Sequence, residues 1–172
     1  MVYFFENILS YEECSYLSEK FYIEKNFTNS QDFNRRNAYG FRPSSYFDQY
    51  LNKFKSTIEN IVGNNFRRIN PVNTFIREYF NGANLEGHID RPDIDITMSL
   101  CLDSSIKMDW PLYVNVNGEV RNCSTRIGDG VVIIDSNKHY HWRDKLVCDE
   151  SEKVLQFFLH WSYEDEKSKT LI

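Results

Sequence analysis

The chemistry open to this chain depends on very few histidines. Its 172 residues include only four of them: His88, His139, His141 and His160. His88 and Asp90 occur as His-Ile-Asp, and in an extended strand this spacing would place the imidazole and the carboxylate on one face, because side chains alternate along a strand. A distant histidine would complete the two-histidine, one-carboxylate set that binds Fe(II) and leaves positions open for a co-substrate and O2. His139 and His141 both supply such a histidine, and strand parity alone does not choose between them.

The elements that must position these residues follow from hydrophobic periodicity. Residues 2–5 predict a short strand. A capping-box pattern at Ser10, followed by apolar residues at helical spacing, predicts a helix over about residues 11–21. A second amphipathic helix is predicted over residues 47–62, ended by Gly63.

The remainder of the chain consists of short apolar runs separated by turn residues, a pattern typical of β structure. Strands are predicted at residues 72–80, 94–102, 110–116, 131–135 and 153–161, with hairpin dipeptides at Asn81-Gly82 and Asn117-Gly118. Because helices come first and strands follow, the fold class is expected to be α+β. Several short antiparallel strands predict a double sheet of the jelly-roll type. We expect residues 1–172 to form one domain.

Two polar stretches are candidates for substrate selectivity, since loops on a rigid scaffold commonly carry recognition. The first is Glu24–Ser45, which is predicted to be a long loop and contains Arg35, Arg36 and Arg42. The second is the connection Asp103–Asp109.

Composition excludes several classes of protein. The net charge is −5 and no block of consecutive Lys or Arg occurs, which argues against a broad nucleic-acid interface. No apolar run is long enough to span a membrane. The four cysteines form no CxxC pair, which is typical of a reduced, cytoplasmic protein. The sequence carries no signal for an oligomeric state.

Two segments of the chain resemble a known enzyme family. Residues 75–90, in which Arg77 and Tyr79 precede an Asn-Gly turn and the His-Ile-Asp motif, resemble the R-x-Y, Gly turn, H-x-D strand pair of the Fe(II)/2-oxoglutarate-dependent dioxygenases. Residues 128–143, a Gly-Asp turn, an apolar strand and His-Trp-Arg, resemble that family's second ligand segment. Residues 4–14, 110–113 and 156–160 are similar to stretches of its small prolyl-hydroxylase-like members, including ones common in phage genomes.

This resemblance implies a fold, a set of cofactors and a ligand set. The fold is a double-stranded β-helix, a cupin-like jelly roll, with two N-terminal helices packed on one sheet. The cofactors are Fe(II), 2-oxoglutarate as co-substrate and O2. His88 and Asp90 match the proximal metal ligands, and His141 matches the distal one, with His139 as the alternative.

The resemblance also implies residues that hold the co-substrate. In the family a basic residue on the last strand pairs with the distal carboxylate of 2-oxoglutarate, and Lys153 is the candidate here. On that strand Lys153 shares a face with Leu155, Phe157, Leu159 and Trp161. Arg77 and Arg143 are alternative cations. Tyr79 matches a position whose hydroxyl contacts 2-oxoglutarate in relatives.

Aromatic and basic residues near the ligand segments are candidates for the substrate cleft. These candidates are Arg91, Trp110, Tyr113 and Trp142. Together with Tyr79 and Trp161, the aromatic members are expected to surround the metal pocket.

The activity implied is hydroxylation of a C–H bond in a protein side chain or a small molecule, with release of succinate and CO2. One alternative is nucleic-acid demethylation on the same scaffold, against which stands the acidic charge balance. Another is a non-catalytic jelly-roll binding module, although a binding module has no need of His88, Asp90 and His141 together.

Overall fold

A computed structural model describes residues 1–29, 37–63 and 68–164. Two helices are described, α1 (Tyr11–Lys25) and α2 (Ser45–Val62). The ten strands described are β1 (Val2–Phe5), β2 (Ala38–Phe41), β3 (Ile69–Phe80), β4 (Leu85–His88), β5 (Ile96–Ser104), β6 (Leu112–Val116), β7 (Glu119–Cys123), β8 (Gly130–Ile134), β9 (His141–Arg143) and β10 (Lys153–Tyr163). The α+β class is confirmed. None of the described helices is long and apolar enough to cross a membrane.

The capping box that predicts the start of α1 is present. The Ser10 hydroxyl accepts a hydrogen bond from the backbone N–H of Glu13 (3.2 Å), and the Glu13 carboxylate accepts one from the backbone N–H of Ser10 (3.1 Å). The helix continues four residues beyond the predicted end, to Lys25. Its last turn is held by side chains that reach a buried carboxylate, Glu78 on β3.

The strands form two antiparallel sheets. The large sheet has the order β1-β8-β5-β10-β3-β2 and the small sheet the order β4-β9-β6-β7. From β3 onward the chain passes repeatedly between the two: β3, β5, β8 and β10 belong to the large sheet, and β4, β6, β7 and β9 to the small one. Apolar side chains of both sheets, such as Val114 and Val131, are buried against each other. The two sheets therefore face one another across a shared interior.

Both helices pack on the outer face of the large sheet. Leu17 and Phe21 of α1 and Phe47 of α2 are fully buried in one cluster with the odd-numbered residues of β10 from Leu155 to Trp161. The rings of Phe47 and Phe157 meet edge to face, with centroids 5.5 Å apart. The prediction of two N-terminal helices on one sheet is confirmed.

Two predictions about local structure need correction or restriction. Asn81-Gly82 is a turn but not a hairpin, because β3 and β4 belong to different sheets. The predicted loop Glu24–Ser45 contains the end of α1 and the strand β2, which pairs with β3. Residues 30–36, with Arg35 and Arg36, lie outside the described residues.

The second hairpin prediction is confirmed. Asn117 and Gly118 both have positive φ (54° and 89°) and join β6 to β7, with Val116 paired to Glu119. This is the two-residue turn that Asn-Gly favours, because both central residues must adopt the left-handed region.

Candidate metal centre

Three side chains converge at the edge of the small sheet. Two come from the strands β4 and β9, and the third comes from the loop that follows β4. His88 ends β4, Asp90 follows it, and His141 begins β9 directly opposite His88. Their ligand atoms all lie within 4.8 Å of one another. Nε2 of each histidine is 3.8 Å from Oδ1 of Asp90. Two metal–ligand bonds of about 2.1 Å span up to about 4.2 Å, so an ion fits between these atoms.

Both imidazoles are turned so that Nε2 faces the shared space. Nδ1 of His88 lies 2.8 Å from the backbone carbonyl of Glu86, and Nδ1 of His141 lies 2.9 Å from that of His139. A carbonyl only accepts hydrogen bonds, so each Nδ1 carries the proton and each Nε2 presents its lone pair toward Asp90. This is the arrangement that a metal-binding histidine requires.

The carboxylate of Asp90 is oriented by a hydroxyl that sequence reasoning missed. Thr97 on β5 donates a hydrogen bond of 2.5 Å to Oδ2 of Asp90, and the hydroxyls of Thr97 and Ser136 lie 3.3 Å apart. The backbone N–H of Asp90 also donates to the carbonyl of Ser136. The signal available in the sequence was Thr97 and Ser99, small polar residues at alternate positions of an otherwise apolar run. Oδ1 is left facing the two histidines.

Burial affects the protonation of His141. Only 5% of the His141 side chain is exposed, against 39% for His88. Burial lowers the pKa of His141, an effect that the charge of Asp90 opposes. His141 is therefore neutral at neutral pH, as a metal ligand must be.

His139 does not take part in this cluster. Its Nε2 lies 3.2 Å from the backbone nitrogen of Met1, and its carbonyl holds Nδ1 of His141. Of the two candidates for the distal ligand, the structure brings His141 to His88 and Asp90.

A cavity of about 230 Å³ opens beside the three residues. Apart from them, its lining includes apolar side chains (Leu85, Ile94, Leu112, Ile133 and Phe158) and the polar residues Asn73, Arg77, Arg91, Thr97, Ser99 and His160. Burial lowers the pKa of His160 to about 4, and its Nδ1 lies 3.2 Å from Oδ1 of Asn73. The space is mostly apolar, with a few polar groups placed to orient a ligand.

Arg77 and Tyr79 share the inner face of β3. Nη1 of Arg77 donates to the hydroxyl of Tyr79 at 3.3 Å, and Arg77 lines the cavity. Tyr79 is fully buried with its ring against that of Trp110, at 4.9 Å between centroids.

Arg143 lies deeper in the same interior. It follows His141 by two residues on β9 and is only 2% exposed. Nη1 donates to the backbone carbonyl of Trp110, and Nη2 donates to Oε1 of Gln156 at 3.4 Å. Burial lowers the pKa of Arg143, although a guanidinium titrates so high that it keeps its charge.

Lys153 lies on the opposite face of β10 from the cavity. Its ammonium is 3.2 Å from Oε1 of Glu78 and 4.3 Å from the centroid of the Tyr22 ring. The cavity is lined instead by Phe158 and His160, which have the other parity on the strand. The prediction that Lys153 holds the co-substrate is therefore at odds with its position. Its partner is a buried carboxylate of the protein itself.

The aromatic candidates for the substrate cleft do not line this cavity. Tyr113 and Trp142 stack on each other, with centroids 5.4 Å apart, and are only half-buried. His141 and Arg143 point inward, so Trp142 between them points to the outer face of the small sheet. Trp110 is buried, donates its indole N–H to the carbonyl of Asp144 at 2.7 Å, and borders a second cavity of about 480 Å³.

Two further residues were expected beside the metal pocket, and only one of them lies there. Trp161 is buried on the helix side of the large sheet, with its indole N–H donated to the carbonyl of Leu51. Arg91 does line the cavity, and its guanidinium makes a two-bond contact with the exposed carboxylate of Asp93. Of the residues predicted to contact substrate, only Arg91 borders the metal centre.

Of three comparisons with known proteins, only the one with solved structures finds a match. No protein-family sequence model and no curated protein sequence matches the chain. Several solved structures match the chain over most of its length. An oxidoreductase of the 2OG-Fe(II) oxygenase family from Burkholderia pseudomallei matches 94% of this chain and 84% of its own, with a TM-score of 0.73 and 11% identity.

Two prolyl hydroxylases match as well. The prolyl-4-hydroxylase of Pseudomonas putida matches 95% of this chain and 93% of its own (TM-score 0.69, 14% identity). The viral collagen prolyl hydroxylase of Paramecium Bursaria Chlorella virus-1, solved with 2OG, matches 95% and 96% (TM-score 0.71, 12% identity). The resemblance seen in the sequence is thus confirmed at the level of the fold: this chain has the fold of the 2OG-Fe(II) oxygenases.

Proposed function

We propose that this protein is an Fe(II)- and 2-oxoglutarate-dependent oxygenase that hydroxylates a C–H bond. The overall reaction is R–H + O2 + 2-oxoglutarate → R–OH + succinate + CO2. One atom of O2 enters the substrate and the other enters succinate. The observation that carries the proposal is the convergence of His88, Asp90 and His141 beside a mostly apolar cavity, in a chain with this fold.

The donor set suits Fe(II). Two neutral imidazole nitrogens and one carboxylate oxygen on one side of an ion leave its remaining positions free for small ligands. When bound there, iron supplies the redox chemistry that links decarboxylation of the 2-oxo acid to oxidation of the substrate. His88 and His141 are presented through Nε2, and Thr97 keeps Asp90 turned toward them.

Part of the cavity is apolar. Leu112, Ile133 and Phe158 line it with apolar surface, which suits the C–H-bearing part of a substrate. Arg91 borders both the metal centre and solvent, where it is placed to contact a substrate. Arg77 lines the same cavity and donates a hydrogen bond to the hydroxyl of Tyr79 on the inner face of β3.

A protein or peptide side chain is the substrate that we favour, and a small molecule is the alternative. Two of the structural neighbours are named prolyl hydroxylases, one of them acting on collagen by its name. In addition, we propose that residues 1–172 form one domain, with the alternating strands of its two sheets forming a double-stranded β-helix. All four cysteines are free, which supports our proposal of a cytoplasmic location.

The test is anaerobic titration with Fe(II) and then 2-oxoglutarate, followed by the absorbance band of the chelate and, after O2 is admitted, by succinate formation. The wild type is expected to show both signals. His141→Ala is expected to lose metal binding and both signals. His139→Ala is the matched control, since His139 lies two residues away on the same segment and should retain them.

Absence of the band in folded, metal-loaded wild type would refute the proposed function. Retention of metal binding by His141→Ala, with loss in His139→Ala, would refute the ligand assignment alone.

A further inference from the structure

The interior of the protein contains a cation without a carboxylate partner. Arg143 is 2% exposed, and no Asp or Glu side chain among residues 1–29, 37–63 and 68–164 forms an ion pair with it. Burying a charge is costly unless an opposite charge and hydrogen bonds offset the loss of water. A water molecule could accept a hydrogen bond from the guanidinium, but it would not neutralise the charge.

Two N–H donors without a hydrogen-bond partner lie here, one on Arg143 and one on its neighbour Gln156. Nε of Arg143 and Nε2 of Gln156 are both buried without a hydrogen-bond partner. The two residues already touch, because Nη2 of Arg143 donates to Oε1 of Gln156 at 3.4 Å. Gln156 is itself fully buried. An acceptor with two oxygens and a negative charge would satisfy both donors and the guanidinium at once.

Arg143 lies close to the metal centre along β9, and Gln156 borders the second cavity beside Trp110. Arg143 and His141 lie two residues apart on one face of β9, a separation of about 7 Å along a strand. A five-carbon diacid spans about 5 Å between its end carbons when extended, at about 1.5 Å per bond. Ser99 connects the two regions, since it lines the metal-side cavity and donates its hydroxyl to Oε1 of Gln156 at 3.0 Å.

We propose that Arg143 and Gln156 bind the distal carboxylate of 2-oxoglutarate, whose 2-oxo acid end lies at His88, Asp90 and His141. This inference rests on the proposed function. It moves the cation from the last strand, where the resemblance places it, to β9. On the last strand, the residue that contacts Arg143 is the neutral Gln156, and Lys153 faces the other way, toward Glu78.

The test compares two 2-oxo acids on anaerobic, Fe(II)-loaded protein. One is 2-oxoglutarate, and the other is 2-oxopentanoate, which has the same number of carbons but a methyl group in place of the distal carboxylate. Dissociation constants are read from the absorbance band and, independently, from the rise in melting temperature. The wild type is expected to bind 2-oxoglutarate about 10- to 100-fold more tightly than 2-oxopentanoate. This is the effect of a charge-assisted hydrogen bond that only 2-oxoglutarate can form.

Three variants test Arg143, its partner Gln156 and the alternative cation Lys153. Arg143→Met is expected to weaken 2-oxoglutarate by about 10- to 100-fold while leaving the affinity for Fe(II) and for 2-oxopentanoate unchanged. Gln156→Leu is expected to reduce the discrimination between the two acids by a smaller factor. Lys153→Met is the matched control and is expected to discriminate as the wild type does.

The outcomes are distinguishable from failure of the proposed function. If neither acid binds to metal-loaded wild type, the proposed function fails. If both bind but Arg143→Met retains the discrimination, or Lys153→Met loses it, only the assignment of Arg143 fails. Should Arg143→Met not fold, the wild-type comparison and Gln156→Leu still decide: equal affinity of the two acids, or full discrimination by Gln156→Leu, overturns the assignment.

Discussion

The buried carboxylate of Glu78 provides a quantitative test of the role of Lys153. Glu78 has only 1% of its side chain exposed and contacts three groups: the ammonium of Lys25 (2.5 Å), that of Lys153 (3.2 Å) and the hydroxyl of Tyr22 (3.0 Å). These contacts join α1, β3 and β10 on the side of the sheet away from the cavity. Burial lowers the pKa of Lys153, but its hydrogen bonds to Tyr22 and Glu78 outweigh that effect and raise the pKa overall.

The expected magnitudes follow from exposure. Replacement of Glu78 by Gln leaves two ammonium groups without their counter-charge, and breaking a buried ion pair in this way costs about 3 kcal/mol. For a chain of this size about 2–4 °C are lost per kcal/mol, so Tm is expected to fall by about 6–12 °C. Lys153 is 34% exposed, and Glu78 keeps Lys25 when it is removed. Lys153→Met is therefore expected to cost about 1 kcal/mol, or about 2–4 °C.

The assay is thermal and urea unfolding of the two variants beside the wild type. Lys107→Met is the matched control, because Lys107 is 86% exposed and its carboxylate partners are 3.9–4.0 Å away; its Tm is expected to equal that of the wild type. A Lys153→Met protein that melts like the wild type but no longer binds 2-oxoglutarate would refute the structural role assigned to this residue.

Three further predictions concern the support of the metal centre, a turn and the thiols. Thr97→Val removes the hydrogen bond to Asp90 at nearly constant volume and is expected to lower metal affinity about 10- to 100-fold; an unchanged Fe(II) titration would contradict it. Gly128→Ala is expected to cost about 2 kcal/mol in urea unfolding, because Gly128 has φ +91° and an added Cβ would lie 2.7 Å from the carbonyl oxygen of Leu9. Burial raises the pKa of all four thiols and so lowers their thiolate fraction at a given pH. Cys148, the one that is not fully buried, is expected to react first with a thiol reagent, faster as pH rises, and Cys148→Ser should remove this fast phase.

The sequence predicts the helices and the long strands well because their burial is one-sided or continuous. Helix α2 is found where its apolar repeat predicts it. The four strands that no apolar run predicts, β2, β4, β7 and β9, have at most five residues each. Pairing with longer neighbours defines such strands, so the signal lies in the tertiary structure rather than in the local pattern.

The candidate site was predictable where spacing alone determines geometry. His88 and Asp90 lie in a short segment, and alternation along the chain correctly indicates that they meet. The same alternation, applied at β9, places Trp142 on the opposite face from His141 and Arg143. Thr97 and Ser99 stand out in the sequence as polar residues in an apolar run, but only the structure shows that Thr97 contacts Asp90.

Lys153 illustrates a limit of period-two reasoning. The sequence correctly groups Lys153 with Leu155 and Phe157 on one face of β10. Both faces of this strand are buried, however, one beneath the helices and one against the small sheet. Alternation cannot tell which buried face adjoins a cavity, since that depends on where the helices pack.

The central position of β10, between β5 and β3 in the large sheet, limits how descendants of this protein can diverge. Replacement of Phe158 or His160 alters the lining of the cavity without disturbing the contact of Leu155 or Phe157 with the helices. A one-residue insertion would exchange the two faces, setting a charged ammonium toward the ligand space and a polar amide beneath the helices. New ligand preferences can therefore evolve along this strand by substitution, whereas changes of length must be confined to the loops at its ends.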